Sequence, residues 1–236
     1  MITAAQITAA GYARISAVAG VVAAAALGAF FGFARPFGAT PDPGAMWLGP
    51  VNDAASVVQY AALIPVARAL RRRFAAAPDA GRTVLLVTDV ATAAMAVFVG
   101  LQVLLLAGAV PFAVQAPFVT AAGLVCLGWT VLTSRVGART GLLPRRAVLA
   151  GTAAGVLVPA ALLIGGSALL LPAAAAARPV LLWLALGVGV VGWSAIVPWT
   201  YFLASGTALS RMDANEYPTT RNADPPMSEG GPRRAT

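Results

Sequence analysis

The sequence predicts an all-α, polytopic membrane protein: a bundle of six transmembrane helices with both termini in the cytoplasm. Three observations predict it. The composition is 59% hydrophobic and only 10% charged over 236 residues, and a soluble domain needs far more charge to cover its surface. The apolar residues fall into six runs, each of about 20 residues or more, the length that crosses ~30 Å of hydrocarbon as a helix. Arginines gather in alternate connections between those runs. The mean hydropathy of +0.82 agrees with all three.

The first run, 15–34, follows Arg14 and carries Ser16, Gly20, Ala24, Gly28 and Gly32 four apart. On a helix these form a strip of small side chains. Apolar burial does not draw helices together in lipid, so close backbone approach must, and the strip is expected as a helix-packing face. It would serve within the chain or against a second copy in a homo-oligomer. The apolar core is too long for a signal peptide, and further spans follow, so an uncleaved anchor is expected.

The second run, 47–70, lies within "WLGPVNDAASVVQYAALIPVARALRRR". Asn52, Ser56 and Gln59 repeat at i, i+4 and i+7, so they share one helix face, with Asp53 and Tyr60 beside it. A central Asp costs ~2.5–3.5 kcal/mol to insert, while each Leu, Ile or Val returns ~0.3–0.6. Seven such residues lie between Trp47 and Ala69, so a central Asp53 would leave the helix barely able to insert. A cheaper arrangement starts the helix at Pro50, whose missing N–H costs nothing there. Asp53 then falls in the first turn, where free N–H groups and the helix dipole favour an acid. Gln59, roughly 14 Å into the helix, must bond a neighbouring helix or water in a cavity.

The third run, 83–110, is the longest and should tilt or start outside the hydrocarbon. It holds Thr88, Asp89 and Thr92, with Gln102 further along. Asp89 is expected at the cytoplasmic interface, paired near Arg68 and Arg82. "GAVPFAVQAP" leaves room only for a tight turn into the fourth run, 115–133, which Gln115 opens. Cys126 is the only cysteine, so no intrachain disulfide forms, and it packs as a small apolar residue. The fifth and sixth runs are 147–171 and 180–204. Pro65, Pro159 and Pro198 should kink their helices. Gly187, Gly189 and Gly192 offer a second close-packing face. Trp47, Trp183, Trp199 and Tyr201 lie toward run ends, where interfacial aromatic belts form.

Arginine sets the orientation. Arg14, Arg68, Arg71, Arg72, Arg73, Arg82, Arg135, Arg139, Arg145 and Arg146 fall on one side, and Arg35 and Arg178 on the other. The richer side is the cytoplasm, so the chain is N-in and C-in. Residues 1–204 form the membrane domain. Residues 205–236 are polar, rich in Pro and Gly, and expected as a disordered cytoplasmic tail. That tail has four arginines and four acids, so the net +8 belongs to the membrane part. Its expected partners are the bilayer's anionic headgroups, at about 1 kcal/mol per arginine, or a further membrane protein. With the charge spread over helix ends and no binding module, nucleic acid is not a partner.

All sixteen basic residues are arginine. Without lysine there is no retinal Schiff base and no P-loop lysine. Without histidine there is no His-ligated zinc or bis-His haem, and no Ser-His or Cys-His pair. No metal site and no cofactor are expected, and an enzyme is disfavoured. Asp53 and Asp89 each lie near the start of antiparallel helices, too far apart in depth for a paired-carboxylate protease. The candidate intramembrane polar site is Asn52, Asp53, Ser56, Gln59 and Asp89, because polar groups within spans are costly to keep.

At "RTGLLPRRAVLAGTAAGVLVPAALLIGG" and "VGWSAIVPWTYFLASGTAL" the chain resembles six-helix actinobacterial integral membrane proteins of unknown function. The likeness spans roughly residues 12–210. Its motifs are the Gly-x-x-Pro-Arg turn at Gly141–Arg145 and a Trp-rich last helix. It implies the six-helix topology and carries no catalytic residues. Arginine-only, alanine-rich composition is usual in GC-rich bacteria, so a bacterial plasma membrane is expected. The expected role is a non-catalytic scaffold or accessory component. The alternative is a small-solute or proton-coupled transporter using polar groups of the second and third helices.

Overall fold

The structure, a computed structural model, describes residues 8–34, 42–172 and 175–205. Arg35 and the predicted tail beyond Ser205 lie outside the described residues. Helix α1 spans Ala9–Ala29 and widens into a π-helical turn at Phe30–Ala34. A short 3-10 turn, Pro43–Ala45, precedes α2 (Leu48–Ala75), and another, Pro78–Ala80, precedes α3 (Arg82–Leu106). Then come α4 (Phe112–Thr140), α5 (Arg145–Leu170), α6 (Ala177–Ser194) and α7 (Ile196–Ser205). The described residues contain no strand.

The boundaries have local causes. Thr8 caps α1, its hydroxyl accepting from the Gly11 N–H at 3.1 Å. Beyond α3 and α4 the chain turns at Gly108 (φ 69°) and Gly141 (φ 67°), a left-handed conformation that a Cβ would strain. Pro111 and Pro144, extended, then lead into α4 and α5, where a missing N–H costs nothing. After Gly141 the chain folds back: Leu143 is buried against Gly137 and its N–H reaches the Gly137 carbonyl at 3.4 Å.

Five helices are long and apolar enough to cross a membrane: α1 with its π turn, α3, α4, α5, and α6 with α7. The sixth, α2, falls short on composition rather than length. Its 28 residues include Asn52, Asp53, Gln59 and four arginines. It lies between α1 and α3, with Tyr60, Leu63, Val66, Ala67 and Leu70 buried. A helix that meets protein along so much of its surface can carry polar groups that lipid would reject.

Each helix packs on its sequence neighbours, and α7 returns to α1, so the bundle closes into a ring. Neighbours run antiparallel. The end of α2 meets the start of α3 at the Arg71–Asp89 pair, and the end of α3 meets the start of α4 at Gln102–Gln115. One end of the bundle therefore gathers the starts of α1, α3 and α5 and the ends of α2, α4 and α7. The ten arginines grouped by sequence all belong to that end; Arg178, at the start of α6, belongs to the other. Large apolar side chains face outward along the bundle, among them Leu86, Val97, Phe118, Val156, Leu163 and Leu170. In water such a surface would aggregate, whereas in lipid it is the solvated face.

The small-residue strip packs for only part of its length. Ser16 and Gly20 are buried and Ala24 half-buried, but Gly28 and Gly32 are exposed with open space beyond them. A step of four residues on a 3.6-residue helix advances about 40° around the axis, so the strip winds off the packed face. The buried face follows Ala13, Ser16, Ala17, Gly20 and Ala23 instead. Gly192 does serve close packing: a Cβ there would lie 2.9 Å from Leu157 Cβ on α5.

Candidate functional site

In the half of the bundle away from the arginines, the helices line a half-open cavity of about 210 Å³. Helix α2 contributes Asn52, Asp53, Ser56 and Gln59 from its first three turns. The last third of α3 adds Phe98 and Gln102, the start of α4 adds Phe112 and Gln115, and α1 contributes Gly20. The fifth wall is the junction of α6 and α7, with Trp193 and Ser194. The helix is interrupted there for one residue, Ala195. About one turn on, Pro198 has no N–H to offer the Ser194 carbonyl, which favours the interruption.

The cavity's polar groups form a directed chain. Gln115 Nε2 donates to Gln102 Oε1. Gln102 Nε2 donates to Asp53 Oδ1 at 3.1 Å, and Asn52 Nδ2 donates to the same oxygen at 3.2 Å. Gln102 and Gln115 are buried while Asn52 and Asp53 are half-buried, so the chain runs from the packed interior to the carboxylate. Gln59 is 5% exposed and makes no hydrogen bond to the described residues. Its amide lies against Gly20, where a Cβ would come within 2.7 Å of Nε2. The absent side chain of Gly20 is the room that Gln59 occupies.

Toward the arginine end the interior is filled by rings. Tyr60 stacks on Phe98 with centroids 4.0 Å apart, and Trp129 meets Trp199 edge to face at 5.2 Å. Both indoles are bonded across helices. Trp129 Nε1 donates to Thr88 Oγ1 and Trp199 Nε1 to Ser134 Oγ, each at 3.0 Å. Cys126 is buried in the same core. The cavity thus has a packed aromatic floor.

Four of the five predicted site residues meet here, and Asp89 does not. It lies at the arginine end, exposed, with its carboxylate 2.6 Å from Arg71 Nε. The expected interfacial ion pair is present, but its cation is Arg71 rather than Arg68 or Arg82. The expected helix start at Pro50 is also corrected. The helix begins two residues earlier, at Leu48, so Asp53 lies in the second turn and bonds sideways to α3 instead of capping N–H groups. Trp199 belongs to the core, not to an interfacial belt, whereas Trp47, Trp183 and Tyr201 are exposed.

Gln102 and Gln115 complete the site, and the signal for them was depth. With antiparallel neighbours, the start of α2, the end of α3 and the start of α4 share one end of the bundle. Polar residues at those positions can meet. No family model matches the chain, and neither a curated protein nor a solved structure matches it. Its function is therefore read from the chemistry of the cavity.

Proposed function

We propose that this is a six-span membrane protein that binds a small polar solute in the cavity at Asp53 and carries it across the bilayer. One observation carries the proposal: a carboxylate, three hydroxyls and four carboxamides line a single cavity inside a bundle whose outer surface is apolar. Intramembrane polar groups are expensive, and most such groups serve a pathway or a ligand. The interruption at Ala195 adds to it, because broken helices at a cavity wall are a common device of transporter sites. The six-span count is supported by α2 itself, whose length of about 42 Å at 1.5 Å per residue is ample to cross. Its packing between two apolar helices supports the same count. The arginine asymmetry supports a plasma-membrane protein, N-in and C-in, touching anionic headgroups through its arginine end.

A second function, the scaffold or accessory component, is favoured by the aromatic floor. Tyr60, Phe98, Trp129 and Trp199 are buried and packed ring on ring, and transport requires that they yield. Liposome flux separates the two. Protein reconstituted into liposomes is assayed for uptake of small polar solutes and protons, as wild type, Gln59→Leu and Asp53→Asn. Transport predicts flux above protein-free liposomes that falls at least about ten-fold in Asp53→Asn. Flux indistinguishable from empty liposomes for every solute returns the protein to the scaffold class.

A further inference from the structure

The one charge and the aromatic lining of the cavity indicate the chemistry of what it accepts. Three carboxamide donors are already committed: Gln115 to Gln102, and Gln102 and Asn52 to Asp53 Oδ1. What the wall still offers is mixed: the second carboxylate oxygen and the carbonyl oxygens of Asn52 and Gln59 accept, the Gln59 N–H groups donate, and the Ser56 hydroxyl can do either. Among the described residues that line the cavity Asp53 is the only charged group. The site therefore carries a net negative charge partly withdrawn from water, and such a charge is best neutralised by a cation.

The rest of the lining decides which kind of cation. Phe98, Phe112 and Trp193 supply aromatic rings, and ring faces attract alkylammonium groups while repelling anions. A hard metal ion needs about six oxygen ligands, usually with several carboxylates. Here no second carboxylate joins Asp53, and no metal-holding group of acids, Cys or His occurs among the described residues. A volume of about 210 Å³ suits a few carbon atoms around one nitrogen rather than a bare ion.

We propose that the cavity selects a small organic ammonium, its charge held by Asp53 and its alkyl groups by Phe98, Phe112 and Trp193. This rests on the solute-binding function above and names the class of solute.

The test uses a charge-only pair. Full-length protein in nanodiscs is titrated with choline and with 3,3-dimethylbutan-1-ol, which replaces the quaternary nitrogen by carbon. Glycerol and acetate are titrated in parallel. Choline is expected to bind saturably and at least about ten-fold more tightly than its neutral twin. Asp53→Asn, which keeps the shape, should remove that preference. Trp193→Leu should weaken choline about two- to five-fold. Equal affinity for choline and the alcohol, a preference for acetate, or a preference unaffected by Asp53→Asn overturns the ammonium assignment. Binding of glycerol alone overturns it too, while leaving the solute-binding function standing. Binding of none of the four, with no flux in liposomes, removes both.

Discussion

Gln102 lies 49 residues from Asp53 in the chain and 3.1 Å from it in space, and that one contact turns a helix-start acid into the wall of a cavity. At the same scale Gly20 and Gly28, two members of one small-residue strip, have opposite environments. A Cβ on Gly20 would stand 2.6 Å from Val197 and 2.7 Å from Gln59, whereas Gly28 has nothing within 4 Å. Gly20→Val should therefore displace Gln59 or Val197 at a cost of about 1–3 kcal/mol, and Gly28→Ala should be close to neutral. Thermal unfolding in detergent checks this. The expected result is a lowered midpoint for the first variant only. Equal midpoints would show that the α1–α2 contact is looser than described.

At the scale of elements, the last column is two helices, and Pro198, which cannot donate to the Ser194 carbonyl, favours the break. Pro198→Ala restores that donor, so α6 and α7 should merge. Hydrogen exchange reads the change directly: amides 195–199 should become more protected, at unchanged protection elsewhere in α6. If the cavity wall depends on the interruption, solute binding should fall in the same variant. Unaltered exchange would place the cause in packing around Ala195 rather than in the proline. The α1 strip shows a related limit of sequence patterns. A four-residue repeat drifts about 40° per step on an α-helix, so its end leaves the packed face. The π turn at Phe30–Ala34 alters the register once more at Gly32.

At the scale of the molecule, the closed ring and the ten arginines at one end lead to an orientation that can be measured. Reporter fusions at residues 77 and 142 should be cytoplasmic, and one at 109 external. An external reporter at 77 with a cytoplasmic N-terminus would mean that α2 does not cross and that five helices span. The same ring explains how much of the site was legible. Asn52, Asp53, Ser56 and Gln59 stand out because polar side chains inside an apolar run are rare at any depth. Asp89 stands out equally and belongs to a different place, since a sequence marks polarity but not which end of a bundle a residue reaches. Gln102 and Gln115 could be matched in depth once α2, α3 and α4 were known to alternate in direction. Their linkage to Asp53, direct from Gln102 and through Gln102 from Gln115, could not, because rotation about each helix axis depends on packing.

Composition and periodicity by themselves determined a helical chain with an apolar outer surface and its arginines gathered at one end. Transfer between water and hydrocarbon acts on each segment largely independently of its neighbours, so those features need no knowledge of the fold. Only the tertiary structure decided that α7 closes on α1, that Trp129 and Trp199 floor the interior, and that three glutamines and an asparagine gather with Asp53. Side-chain contact in lipid is won by close fit and hydrogen bonding between particular faces, and those faces meet only when all the helices are in place.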